Sequence, residues 1–406
     1  MAISGICEAK FQGVKKAFEA NFARLGETGA EVAVYLDSEV VCNLRGGIAA
    51  PEKKCPAAAA APDDVLDASS SSLHSCSAEI PWSEATIVMP YSVSKPLAAL
   101  CCLLLIDRGL LDPDALVSET WAEWASGGKE QCTVRQLLEH RAGIPFAPQG
   151  CQLTDLLDWR AMLEKIAAEP SVWPPGEVQA EHAMTFGHLC AALVHGLAGT
   201  SLGSFFQSEV ADPLGLKLYF GVPSDELANC AELSPWPAET VAELKGMTDL
   251  APRGLFEPDV LCDSDIVNSA AWRQAEIPAV NVHGRASDVA KVYALLLNGG
   301  ELGGVRLLKE ATANLLRQPS PPGFDKVFGF ECSWALGFQH QPWATREGDI
   351  VCPSSRFGLG GIGGSSAFAA DFRGHKVSFA YLTRQMGNWD RAENVEDALL
   401  RCLAAL

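Results

Sequence analysis

Basic residues are scarce in this 406-residue chain: 31 Lys and Arg stand against 50 Asp and Glu, a formal net charge of −19. Phosphate recognition needs clustered cations, and none is present, so nucleic acids and anionic membrane surfaces are not expected as partners. Long apolar runs are also lacking. The stretch Leu97 to Ile106 is apolar throughout but about half the ~20 residues a bilayer span requires. The beginning, Met1-Ala-Ile-Ser-Gly-Ile-Cys-Glu-Ala-Lys10, has neither a basic region leading into an apolar core nor an arginine-rich amphipathic presequence. A cytoplasmic location is therefore expected. Cysteine is plentiful, at 14, yet no C-x-x-C occurs and Cys101-Cys102 is the one close pair. Scattered buried thiols in a reducing compartment account for this better than disulfides or zinc. His140, His182, His188, His195 and His283 are not grouped with Cys or carboxylates as ligands, so no metal and no cofactor are expected.

What is present is an ordinary core composition, 48% hydrophobic and 20% charged. Phe11, Val14, Phe18, Phe22 and Leu25 recur near helical spacing before Gly26 breaks the pattern, which predicts an amphipathic helix. Ala30 to Leu36 and Val40 to Leu44 are β-rich around Asp37-Ser38-Glu39 and predict a hairpin. Residues 52–80, with an alanine run and Ser69 to Ser72, are of low complexity and are expected to be a surface insertion. Patterns from Pro96 to about Trp272 are mostly helical. Arg285 to Asn298 is helical, Cys332 to Gln339, Ser365 to Asp371 and Lys376 to Leu382 are β-rich, and a helix closes the chain from about Arg391 to Leu406. Strands at both ends with helices between predict an α+β fold. One sheet domain is expected from 1–95 and 285–406, with a helical domain over 96–284.

Ser92-Val-Ser-Lys95 sits immediately before the apolar run. On a helix, residues i and i+3 share a face, so the Lys95 amine reaches the Ser92 hydroxyl while Ser94 points elsewhere. An all-round apolar helix is central and buried, and burial lowers a lysine's pKa until it can serve as a base toward a hydroxyl. Pro96 suits a first helical turn, whose N–H groups have no partner, and places the helix start near Ser92. Four residues alone are a weak signal, since the same pattern marks any helix N-cap followed by a lysine.

Further stretches in order change that weight: Phe18-Glu-Ala-Asn-Phe22, Tyr91-Ser-Val-Ser-Lys95, Thr133-Val-Arg-Gln-Leu-Leu-Glu-His-Arg-Ala-Gly143-Ile-Pro145, Trp173-Pro-Pro-Gly176, Asp212-Pro-Leu-Gly215 and Phe357-Gly-Leu-Gly-Gly-Ile-Gly-Gly-Ser365. With these the chain resembles the serine β-lactamase and penicillin-binding-protein-like superfamily, in its class C-like esterase branch, over nearly its whole length outside the insertion. The resemblance implies an antiparallel sheet flanked by helices, an all-helical second domain, and a cleft between them with Ser92 at its floor. It implies acyl transfer, with Ser92 as nucleophile, Lys95 as base or proton holder, and an oxyanion held by the N–H groups of Ser92 and Ile362. Gly360 and Gly361 let that strand approach a substrate.

Two positions depart from the family pattern. The second motif carries a tyrosine in the family, but Gly176-Glu-Val-Gln-Ala-Glu-His-Ala183 puts Glu181 there, and none of the five tyrosines is near in sequence. Glu181, facing Lys95, either holds the ammonium charged or acts as the base itself; His182 is a third candidate or a conformational residue. The third motif has Leu359 where the family has a polar side chain, and an apolar group cannot hold a substrate carboxylate. Neutral carboxylic esters or related small acyl donors are therefore expected as substrates, rather than β-lactams. Two alternatives stay open: a catalytically silent member that binds a ligand or assembles with itself, and a transacylase. No interface is marked in the sequence, and an oligomer through a sheet edge remains open.

Overall fold

Strand pairing between the two ends of the chain organises the molecule, whose structure, a computed structural model, describes residues 3–52 and 78–406. The expected insertion over 52–80 lies outside the described residues except at its margins, and its last residue, Ile80, already belongs to a strand. In chain order the strands of the main sheet are β1 (Ile3–Cys7), β2 (Gly29–Leu36), β3 (Glu39–Ala50), β4 (Ile80–Pro81), β5 (Gly323–Phe324), β6 (Glu331–Ala335), β7 (Phe338–Gln341), β8 (Arg356–Gly360), β9 (Ser366–Phe372) and β10 (His375–Thr383). They form one antiparallel sheet in the order β1-β3-β2-β10-β9-β8-β7-β6-β5, with β4 beside β3. The join is β2 on β10, with Val32 opposite Tyr381 and Val34 opposite Phe379.

Side chains alternate across a strand, and here both faces are covered. Val32 and Val34 turn toward helices α1 (Gln12–Arg24) and α5 (Asp390–Ala404), packing with Phe18, Phe379, Val395 and Leu399. Ala33, Ala367, Ala369 and Ala380 belong to the other face, where their small size lets a helix lie close. The helices taken up below are α2 (Ser94–Asp107), α3 (Phe186–Ala198) and α4 (Ala286–Leu297), the last packed on β10 and β2. Twelve residues of α2, Ser94 to Leu105, are buried, which is the central position its all-round apolar sequence requires. The antiparallel sheet built from both termini, with helices around it, is the expected fold class.

Three details differ from the sequence expectations. Cys332 to Gln339 is not one strand but the hairpin β6–β7, reversing at Leu336 and Gly337 with φ of 48° and 93°. Leucine rarely takes a positive φ, so no turn signal stood in the sequence. Ile3–Cys7 is an edge strand with three exposed residues in the middle and no alternating pattern to reveal it. Short strands Leu218–Tyr219 and His283–Gly284 pair within the mostly helical middle region.

A buried carboxylate ties the termini together. Glu27 accepts hydrogen bonds from Tyr381 Oη at 2.6 Å, Thr383 Oγ1 at 2.9 Å and Gly29 N at 2.9 Å, and pairs with Arg391 Nε at 3.3 Å. Asn21 adds bonds to Tyr381 Oη and to the Arg391 carbonyl, at 3.2 and 2.8 Å. Glu27→Ala leaves a buried guanidinium and phenol without their acceptor, and is expected to cost about 3–5 kcal/mol, read from the shift in the urea unfolding midpoint.

Candidate active site

The strand β8 and the entry to α2 meet at a point where neither tolerates a side chain between them. A Cβ on Gly361 would lie 2.1 Å from the Pro90 carbonyl oxygen and 3.3 Å from the Tyr91 side chain. Pro90 leads into a 3-10 turn, Tyr91–Val93, which runs straight into α2. Ser92 therefore stands in this tighter turn, two residues before the α-helix proper. Tyr91 is held at φ 50°, a conformation unfavourable for a bulky residue. Its phenol pays for that by donating to the Leu261 carbonyl at 2.8 Å, while Trp236 Nε1 donates to it at 3.2 Å. Ser94 Oγ donates to the Tyr91 carbonyl at 2.5 Å and accepts from Val282 N at 3.1 Å, so it braces the turn and faces away from Ser92's surroundings.

Lys95, one turn on, is fully buried. Its Nζ donates to Ser92 Oγ at 2.8 Å and to the Ala279 carbonyl at 3.3 Å, and lies 3.3 Å from Glu181 Oε1. Burial pushes the lysine pKa down, against the attraction of Glu181, and pushes the Glu181 pKa up, against the attraction of Lys95. Both groups are thus driven toward their neutral forms.

The segment that presents Glu181 is held by motifs far from it in sequence. Thr133 caps a short helix, Val134–Leu138, in a reciprocal box with Gln136. Beyond it the Arg141 carbonyl accepts Gly176 N at 2.8 Å, the His140 carbonyl accepts Ala180 N at 3.0 Å, and His140 Nδ1 accepts His182 N at 3.0 Å. Gly143, at φ 79°, lets the chain pass within van der Waals range of Trp173, whose carbonyl a Cβ there would meet at 2.2 Å. The residues Thr133 to Pro145 and Trp173 to Gly176 are thus one cradle, and its product is the position of Glu181.

A cavity of about 300 Å³ opens over Ser92 and Glu181. Leu359, Gly360 and Ile362 line it, with Met247, Phe328, Phe330 and Trp389; toward its far end are Gln339, Gln341, Arg356 and Glu396. Arg356 pairs with Glu396, which also accepts Ser366 Oγ at 2.8 Å. Among the described residues no acceptor within the protein is found for the Ile362 N–H, and Ile362 lines the cavity together with Ser92. Gly361 and His182 do not line the cavity. Gly361 acts by close approach behind it. His182 is fully buried, both ring nitrogens lack partners, and burial pushes its pKa down to about 3, so it is neutral packing against His140 rather than a base. None of the five tyrosines lines the cavity either.

Three contributors escaped sequence reasoning: the Ala279 carbonyl on Lys95, the strained Tyr91, and Asp325, a buried carboxyl beside Glu181. None belongs to a short motif, and tertiary folding alone brings them in.

A serine–lysine–carboxylate cluster under a cavity, at the junction of an antiparallel sheet and a buried helix, defines a serine hydrolase of the β-lactamase/transpeptidase-like fold. The family model for Beta-lactamase matches residues 14–402, and the chain belongs to that family. It is 29% identical over 398 residues to the esterase/beta-lactamase LipL of Mycobacterium tuberculosis, a match spanning 95% of this chain and 83% of that one. The crystal structure of a family VIII carboxylesterase superposes with a TM-score of 0.83 at 31% identity, over 99% of this chain and 100% of that chain. A penicillin-binding protein homolog from Caulobacter crescentus gives 0.81 at 29% identity, over 99% and 100%. No single helix among the described residues is long and apolar enough to cross a membrane.

Gly361→Ala would displace the Pro90–Ser92 turn, and displacements of this kind cost about 10²-fold in reactivity. Fluorophosphonate labelling of Ser92, timed by mass spectrometry, should slow by that order while the circular dichroism spectrum is retained.

Proposed function

We propose that the protein hydrolyses neutral carboxylic esters through an acyl-enzyme on Ser92, with Lys95 relaying the proton and Glu181 receiving it. The observation that carries this reading is the line Ser92 Oγ, Lys95 Nζ, Glu181 Oε1, with contacts of 2.8 and 3.3 Å, under an open cavity. As Oγ attacks the ester carbonyl, its proton passes to Nζ while Nζ gives one to Oε1. The lysine is left unchanged and the glutamate protonated. The oxyanion is held by the N–H groups of Ser92 and Ile362. Collapse breaks the carbonyl–alkoxy bond, and the departing alkoxide takes the proton back along the same line. Water then repeats the sequence on the acyl-enzyme and frees Ser92.

Ester chemistry is supported by the relatives named as esterases and by the cavity. Leu359 and its apolar neighbours offer nothing to a substrate carboxylate, and Arg356, the cavity's arginine, is already engaged by Glu396. Residues 1–95 with 285–406, and 96–284, are read as two domains sharing the site, since Ser92 and Leu359 come from one and Glu181 from the other. A reducing, cytoplasmic setting is supported by the twelve described cysteines, all free thiols and nine of them buried.

Ser92→Ala is expected to remove turnover of short p-nitrophenyl esters by at least about 10³-fold and to abolish fluorophosphonate labelling. Glu181→Gln, which cannot accept the proton, should reduce kcat by about 10²-fold. Turnover that survives Ser92→Ala would overturn the acyl-enzyme; an unchanged rate in Glu181→Gln would overturn the glutamate as acceptor.

A further inference from the structure

We propose that Asp325 is a positioning residue of this site, a buried carboxyl whose charge state sets how readily Glu181 accepts a proton. The proposal rests on the reading of Glu181 as proton acceptor. Asp325 lies in the loop between β5 and β6 and is 1% exposed. Its Oδ1 accepts the N–H groups of Val327 and Phe328, each at 2.9 Å, and its own N–H donates to the Phe330 carbonyl at 2.9 Å. Phe328 and Phe330 line the cavity, so the turn that Asp325 closes is part of the cavity wall. The loop is fastened to the segment carrying Glu181: Lys326 N donates to the Gln179 carbonyl at 3.0 Å, and Gln179 Nε2 donates to the carbonyls of Gly323 and Cys332, each at 3.2 Å. The Glu181 backbone N–H also lies close enough to the Asp325 carboxyl to favour its charged form.

Oδ2 has a different environment. It is buried and without a hydrogen-bond partner. Buried polar atoms are seldom left so, and an unpaired carboxylate oxygen in the interior is expensive unless it carries a proton. The titratable groups facing Asp325 are Glu181 from its segment and the Cys332 thiol from β6, with Lys95 beyond Glu181. No cation pairs with Asp325 among the described residues. Burial, and then the charge of Glu181, raise the Asp325 carboxyl to about 7. Two carboxyls placed this way titrate as a pair rather than singly.

The consequence follows from the order of ionisation. Below neutrality Asp325 holds its proton and presents no charge to Glu181. Above neutrality a second negative charge stands beside Glu181, raising its affinity for the proton that Ser92 sends through Lys95. One ionisation at a residue outside the substrate's reach thereby strengthens Glu181 as acceptor.

Asp325→Asn preserves the Oδ1 acceptor and resembles the protonated carboxyl at every pH. Its kcat/KM on p-nitrophenyl butyrate should equal that of the wild type near pH 6 and fall about 10-fold below it near pH 8.5, one unit of lost proton affinity at Glu181. A purely structural role would lower both values by the same factor, and that outcome overturns the proposal. A second measurement needs no activity. A carboxyl whose pKa is raised on folding favours the fold while protonated in both states, and that contribution is lost as pH rises from the unfolded value near 4 to the folded value near 7. The urea midpoint of Asp325→Asn should therefore pull ahead of the wild type between pH 4.5 and 7 and keep a constant lead above. A lead independent of pH overturns the titration of Asp325 in the folded protein. Failure of Ser92-dependent turnover in the wild type would strike the esterase reading alone, with the unfolding series still deciding whether Asp325 holds its proton.

Discussion

A lysine amine with no access to water is the constraint around which the rest of this protein is arranged. Lys95 is sealed beneath the start of α2, and its nitrogen can be satisfied only by groups supplied from other parts of the chain. Ser92 comes from the same helical entry, Glu181 from the middle region, and the Ala279 carbonyl from the approach to α4. Desolvation makes the charged amine unfavourable, and the glutamate restores part of what is lost.

Several motifs that look independent in the sequence turn out to serve this one arrangement. The cradle from Thr133 to Pro145 receives Trp173 to Gly176 and so aims Glu181; Gly361 surrenders a side chain so that β8 can press on the turn holding Ser92. Phe18 to Phe22 lies far from the cavity, yet Asn21 joins Glu27, Tyr381 and Arg391 in the buried network that locks α1 and α5 to the sheet. The β2–β10 join at the centre of that sheet carries the strand system to which β8 belongs.

A carboxylate beside the buried lysine, where the resemblance implies a phenol, changes what the surroundings must provide. A phenol is neutral over the physiological range and needs little help to stay so. A glutamate beside a lysine would ordinarily be a settled anion. Here burial opposes that outcome, and the cavity wall brings a second carboxyl rather than a second cation. The same preference for few free positive charges extends along the cavity, where Arg356 is tied to Glu396, in keeping with an acidic protein that does not attract anions.

Sequence determined a good deal because it works at short range. The spacing of Ser92 and Lys95, the apolar α2, the alternating strands at both ends and the glycines near 360 follow from local periodicity and side-chain chemistry, and the sequence order of motifs was enough to point to the family. Local patterns were misleading where conformation ran against residue preference, as at Leu336 in the β6–β7 hairpin and at Tyr91 before Ser92. Only the tertiary structure decided which polar groups meet in the interior: that His182 packs beside His140, that Glu181 faces the lysine, and that Asp325 stands behind it. Those outcomes depend on desolvation and on contacts between segments distant in the chain, and neither quantity exists until the chain has folded.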